Sequence, residues 1–196
     1  MRTRDLNKEE IVKQKAIEMI VSQGVEGFGM NRLAKECGIS VATLYIYYSD
    51  KEDLIRKVGI EIGRDFFNKM LNGFSADMSF KDGLKKQWEN RIHFTLNFTQ
   101  QAICFEILKQ STHGDAIVAE ITGDFKKTMS QFMMKAIDQK EVVPVTFEVF
   151  WSIAYGSLYS LLELHREGKS MSGKPFKFTE QIKNEAFNLV LKALTP

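Results

Sequence analysis

Proline is almost missing from this chain: three residues in 196, widely spaced. That scarcity excludes proline-rich linker behaviour and leaves long helices uninterrupted. Cysteine is equally scarce, with only Cys37 and Cys104, far apart. No disulfide framework can be drawn from two such residues, and the usage suits a reducing compartment. No apolar run approaches the roughly 20 residues of a membrane span. The opening MRTRDLNKEE has no apolar stretch of the secretory kind, so a cytoplasmic location and no membrane partner are expected. Charge of one sign is lacking too. The net charge is +2, and the first 72 residues nearly balance, so overall charge alone does not point to nucleic acid.

Catalytic signatures are also wanting. There is no G-x-S-x-G, no H-E-x-x-H and no phosphate-binding glycine loop after a strand, so no enzyme is expected. The three histidines, His93, His113 and His165, have no partner of metal-ligand type at i+3 or i+4 except Asn97 after His93, so neither metal nor cofactor is expected. Cys37 stands at an apolar helix position and reads as a packed thiol. Cys104 would be a redox sensor only if exposed and electropositive, and burial in the body is the expectation.

What is present is a chain 44% hydrophobic and 27% charged, the composition of a globular protein with a real core. Apolar residues recur at helical spacing throughout, and no strand alternation of useful length appears. The fold class is therefore all-α. A first helix is expected from Asn7 to about Gln23, with Val12, Ala16, Met19 and Ile20 inward and Ile11 and Ile17 widening the stripe. Gly24, Gly27 and Gly29 then break the chain. Further helices are expected near 80–98, 99–110, 115–138, 144–167 and 178–194, with Pro144 in a first turn.

The most informative stretch is Met30 to Leu54, MNRLAKECGISVATLYIYYSDKEDL. Leu33 and Ala34 are the apolar positions of a short helix, and Gly38 is the residue type that best closes one. Ser40 can cap a second helix from Val41 to Tyr47, with Leu44 facing inward. Ser49 to Glu52 reads as a capping box for a third. Helix, tight turn, helix is the geometry that sets a second helix into the DNA major groove.

Over about residues 7–70, and above all in Leu33 through Leu54, the sequence resembles the TetR family of bacterial transcriptional regulators. The resemblance implies a three-helix DNA-binding domain over residues 1–50. A linking helix over 50–71, with Leu54, Val58, Ile62 and Phe66 as its stripe, and a helical ligand-binding and dimerisation domain over 72–196 would follow. It implies Thr43, Tyr47 and Lys51 on phosphate and Val41, Ala42, Tyr45 and Ile46 toward bases, with Ser40 at the helix start. Arg2, Arg4, Lys8, Lys13, Lys15, Arg32 and Lys51 are the local cations. Two positions depart from the family pattern. Gly29 replaces a capping threonine, and Asn31 stands where an arginine is common, so Arg32 takes over a backbone contact. With Val41, Ala42 and Ile46 all apolar, base reading would use thymine methyls and DNA shape.

The second half is rich in aromatics and methionine. Trp88, Ile92, Phe105, Met129, Phe132, Met133, Trp151 and Tyr155 are candidate walls of an apolar ligand site, with Arg91 and His93 as its orienting polar groups. Phe147, Trp151, Tyr155, Leu158 and Leu162 make one apolar face, and Phe150, Ile153, Ser157, Leu161 and Leu164 another. Ile182, Phe187 and Leu189 continue the excess on the last helix. So much apolar surface suggests a partner, which the resemblance makes a second copy in a four-helix interface. The expectation is a homodimeric repressor that leaves a palindromic double-stranded operator when a small hydrophobic or aromatic ligand binds. The alternative is a ligand-independent DNA-organising protein with the same reading head.

Overall fold

The computed structural model describes residues 6–196; Arg2 and Arg4, expected among the local cations, lie outside them. Among the described residues the fold is all-α, with an isolated bridge between Lys169 and Pro175 and no strand. The head comprises α1 (Leu6–Gln23), α2 (Met30–Glu36) and α3 (Val41–Leu44), followed by α4 (Lys51–Met70). Then come α5 (Phe80–Asn97), α6 (Thr99–Lys109), α7 (Gly114–Ile121), α8 (Gly123–Asp138), α9 (Phe147–Glu167) and α10 (Glu180–Leu194).

By packing, the chain divides into two compact units. One holds the chain up to Asn68 with Leu96–Gly123, the other Lys69–Thr95 with Asp124–Pro196. In the first, α1 buries Val12, Ala16, Ile17, Met19 and Ile20 and packs on α2 and α6. Ile11, expected to widen that stripe, is instead exposed. It lies beyond the arc that a neighbouring helix covers. The approach of α4 to α6 and α7 is close because Gly63 has no side chain. A Cβ there would lie 2.2 Å from Ile121 Cδ1 and 2.9 Å from Phe105 Cε2, inside van der Waals contact. Phe66 and Phe105 meet nearby with their rings tilted at 32° and their centroids 5.6 Å apart.

The second unit is built around aromatic side chains. Phe132 meets Phe74 edge-on at 5.1 Å and stacks on Phe80 at 6.0 Å, while Phe80 reaches Phe150. Trp88 is buried, its indole N–H donating to the Ala154 carbonyl at 2.7 Å, so its polar atom is satisfied inside the core. Phe187 packs edge-on against the same indole at 5.3 Å, and α9 and α10 lie together.

After α6, three helix boundaries differ from expectation. The single helix foreseen over 115–138 is two, divided at Thr122, whose hydroxyl turns back to the Val118 carbonyl at 2.9 Å. Such back-bonding competes with the regular ladder. Pro144 lies outside α9, which starts after Thr146. α10 starts at Glu180 because Thr179 caps it, its hydroxyl accepting from Ile182 N.

Candidate nucleic-acid interface and body cluster

The turn between α2 and α3 is built as its residues require. Gly38 takes φ +64°, the Gly38 N–H donates to the Lys35 carbonyl and the Ile39 N–H to that of Ala34. These two bonds close α2 in a Schellman motif, which needs a residue tolerant of the left-handed region. Ser40 then caps α3, its Oγ accepting from Thr43 N at 3.1 Å and lying 2.8 Å from the Thr43 hydroxyl. Leu33, Ala34 and Leu44 are buried and lock the two helices together.

The second helix of the motif is shorter than the sequence implied. Regular α-helix stops at Leu44, and Ile46 and Tyr47 donate three residues back, to Thr43 and Leu44, in a tighter coil. That tightening exposes Tyr45 (50%) and Ile46 (45%) and buries Tyr47 with Tyr48. Tyr47, assigned to phosphate, thus sits mostly in the core beside Tyr48, at 6.5 Å between ring centroids. Ala42, Asn31, Arg32 and Ser40 are exposed, and Val41, Thr43 and Lys51 half-buried. Arg32 donates to the Gln23 side chain at 2.7 Å, which steadies it at the edge of this surface.

The cap of α4 is also not the one foreseen. Asp50, not Ser49, accepts from the backbone N–H three residues on, at Asp53, at 2.7 Å. Asp53, not Glu52, returns the favour by accepting from Ser49 N at 3.0 Å. Both shift one residue along because α4 starts at Lys51. Lys57 donates to Asp53 at 2.8 Å, and this bond is the main reason the Asp53 carboxyl ionises below the usual aspartate range. Glu52 instead pairs with His113 Nε2 at 2.7 Å. Three acidic groups beside the exposed face are therefore engaged within the protein, which softens the balanced charge of the region for an anionic partner.

In the second unit the structure gathers Trp88, Arg91, Trp151 and Tyr155. Arg91 is fully buried, with its guanidinium carbon 3.8 Å from the Tyr155 ring centre and 5.3 Å from that of Trp151. The two rings meet edge-on at 4.8 Å. Met129 and Phe132 are buried, and Ile92 and Met133 half-buried, in the same unit. His93 is exposed, and Phe105 belongs to the first unit. Helical periodicity places a residue on a face but not in one of two packing units. Gln87, which the sequence reading passed over, is buried and bonded to Arg91; its i, i+4 spacing before Arg91 was the available signal.

The outward faces also sort differently. Phe150 is 1% exposed and packs on Phe80 and Tyr155, and Phe187 covers Trp88, so both serve the core of this unit. Phe147, on the same apolar face as Trp151 and Tyr155, is 57% exposed. Of the remaining interface candidates, Ser157 and Leu189 are exposed, and Ile153, Leu161, Leu164 and Ile182 half-buried. Cys104 is buried, and desolvation pushes its thiol pKa up to about 12, so it is inert. No group of three His, Cys, Asp or Glu side chains gathers among the described residues, and no described helix is long and apolar enough to cross a membrane.

Together these features define an all-α helix-turn-helix protein with a helical body. Residues 14–58 match the family model of bacterial regulatory proteins, tetR family. An HTH-type transcriptional regulator of Staphylococcus aureus (strain bovine RF122 / ET3-1) is 39% identical over 54 residues, 28% of this chain. The match spans 29% of that relative's length. A TetR family transcription regulator from Marinobacter aquaeolei VT8 superposes with TM-score 0.74 at 24% identity, over 99% of this chain and 98% of that one. A TetR-family transcriptional regulator from Haemophilus influenzae RD gives TM-score 0.78 at 14% identity over 100% of both. At these identities the likeness carries the fold alone. The head thus resembles that of the TetR family of bacterial regulators, and the whole chain shares its fold with solved proteins of that family.

Proposed function

We propose that this chain works as a homodimer, binding a palindromic operator in double-stranded DNA and releasing it when a small hydrophobic or aromatic ligand occupies the body. Residues 1–50 read DNA, the helix over 50–71 links, and 72–196 take up ligand and partner. The observation that carries the reading is the set of exposed residues Asn31, Arg32, Ser40, Ala42, Tyr45 and Ile46 over the buried Leu33 and Leu44. Apolar groups and a phenol held outward on a capped, rigid turn are what base edges and thymine methyls require. Thr43 and Lys51 flank that face as phosphate contacts, and Tyr47 keeps this role only through its hydroxyl. Two such heads, one from each copy, fit half-sites about 34–36 Å apart or a multiple of it. Ile153, Ser157, Leu161, Leu164, Ile182 and Leu189 are the residues for the dimer face. Such a regulator acts in the cytoplasm as a repressor.

Selection from a random DNA library by the full-length protein tests this reading. Enrichment of a two-fold symmetric sequence is expected; recovery of no sequence above background overturns it. Close packing of Trp151, Tyr155 and Arg91 favours a second reading, a DNA-organising protein that needs no ligand. Release of the selected DNA by a small apolar compound decides for the first, and indifference to every such compound for the second.

A further inference from the structure

The body holds a charge that nothing in it neutralises. Arg91 is fully buried, and its guanidinium cannot give up its proton to escape the low dielectric. Its compensation is partial. Nη1 donates to the Gln87 backbone carbonyl at 3.2 Å and to the Gln87 side-chain oxygen. The faces of the Tyr155 and Trp151 rings attract the cation further. Nε and Nη2 have no hydrogen-bond partner, and no carboxylate pairs with Arg91 among the described residues. The Tyr155 hydroxyl, buried in the same cluster, has no partner either.

Which nitrogens are unmatched is informative. Nε and Nη2 share one edge of the guanidinium, and their N–H groups point the same way. A carboxylate meets that edge with both oxygens at once, in the two-bond geometry that makes arginine the preferred partner of planar anions. Unmatched donors of this kind are uncommon in cores, and a buried cation with three of its five N–H groups unused is costlier still. Aromatic faces around it suit an apolar skeleton attached to that anion. Of the two rings, Tyr155 is fully buried and Trp151 keeps part of its surface in solvent, so the cluster lies one side chain from water on that side.

We propose that the Nε–Nη2 edge of Arg91 is the seat for the carboxylate of an apolar, aryl- or alkyl-bearing effector. The inference rests on the ligand-responsive reading above and narrows it to a charge class. It also supplies a route outward. Gln87, bonded to Arg91 through its oxygen, donates through Nε2 to the Met70 carbonyl at 2.8 Å. Met70 is the last residue of α4, the helix whose first residues follow the reading face. Asn90 donates to the same carbonyl at 2.9 Å and to that of Asn72 at 3.0 Å. An anion that draws the guanidinium toward itself loosens the grip of Gln87 on the end of α4.

The test uses full-length protein and two matched pairs of probes: 4-phenylbutyrate with its amide, and decanoate with its amide. Binding is read by tryptophan fluorescence and by the shift in Tm, and release by anisotropy of the labelled selected DNA. The acids should bind wild type at least about tenfold tighter than the amides, the scale of a charge-assisted bond. Arg91→Met should bind acid and amide alike, and should melt above wild type when ligand-free because the uncompensated charge is gone. Arg91→Lys, which keeps the charge but not the fork, should fall between. Equal binding of acid and amide by wild type, unaltered in Arg91→Met, overturns the carboxylate seat and leaves a ligand-responsive body. Binding of neither member, with Arg91→Met and Arg91→Lys both melting lower, overturns both and makes Arg91 a structural stack.

Discussion

The reading head and the aromatic core of the body reach order by opposite means. In the head, single residues at fixed offsets decide the structure: Gly38 in the left-handed region, Ser40 as cap, Leu44 as the one buried anchor of a four-residue helix. In the body, no single offset decides anything. Phe74, Phe80, Phe132 and Phe150 share a cluster assembled from three separate stretches, around the start of α5, in α8 and in α9. Local rules make the head rigid with little core, which leaves its outer face available. Bulk burial makes the body robust, which lets it carry an expensive feature such as the uncompensated Arg91.

Mutations should separate these two kinds of order. The largest effect is expected at Trp88, where truncation to alanine removes a buried indole, its bond to Ala154 and its contact with Phe187. Loss of about 3–5 kcal/mol in chemical denaturation is expected. Leu44→Ala should cost about 2–5 kcal/mol, with little of the helical circular dichroism of the body lost. Should Leu44→Ala cost nothing, the head would not depend on its one anchor, and the contrast fails. Next comes Gly63→Val, which drives side-chain atoms into Ile121 and Phe105; overpacking of this kind costs about 1–3 kcal/mol. A variant melting like wild type would show that α4 has room to shift there.

Smaller effects belong to the caps. Ser40→Ala removes the acceptor for Thr43 N and should cost about 0.5–2 kcal/mol, seen as a lower Tm. Asp53 gives a pH signature. Its carboxyl ionises below the usual range because Lys57 donates to it. The charged form is thus favoured in the folded state, so its contribution is complete above the ordinary aspartate range and lost as pH falls through its folded value. Asp53→Asn should flatten that acid limb in a Tm–pH profile; an unchanged slope below pH about 4 would remove the carboxylate from the cap's energetics.

The same contrast explains what could be read beforehand. Gly38, Ser40 and Leu44 were legible because their roles depend on neighbours three or four residues away. The cap of α4 was misplaced by one residue, from Ser49 to Asp50, because several residues in SDKED can cap and only the helix start selects among them. Tyr47 lies deeper than its position in a regular helix implies, because tightening after Leu44 rotates its ring inward, and a helical wheel does not contain that turn. In the body, α9 has two wide apolar stripes, and the residues that cover one of them come from α5 and α10. Phe150, expected at the partner face, therefore lies in the core, while Phe147 on the other stripe is exposed. The cluster around Arg91 needed a third dimension altogether, since Trp151 and Tyr155 lie some sixty residues from it in sequence.

The central claim is that the exposed α2–α3 face binds DNA, and a salt series on the selected palindrome tests it most directly. Anisotropy titrations of wild type, Tyr45→Ala and Lys51→Ala would be followed from low to moderate salt. Wild-type affinity should fall linearly on logarithmic axes, by about 0.9 per phosphate neutralised. Lys51→Ala should reduce that slope by about one, and Tyr45→Ala should weaken binding with the slope kept. Binding insensitive to salt, or both folded variants matching wild type, would contradict the claim.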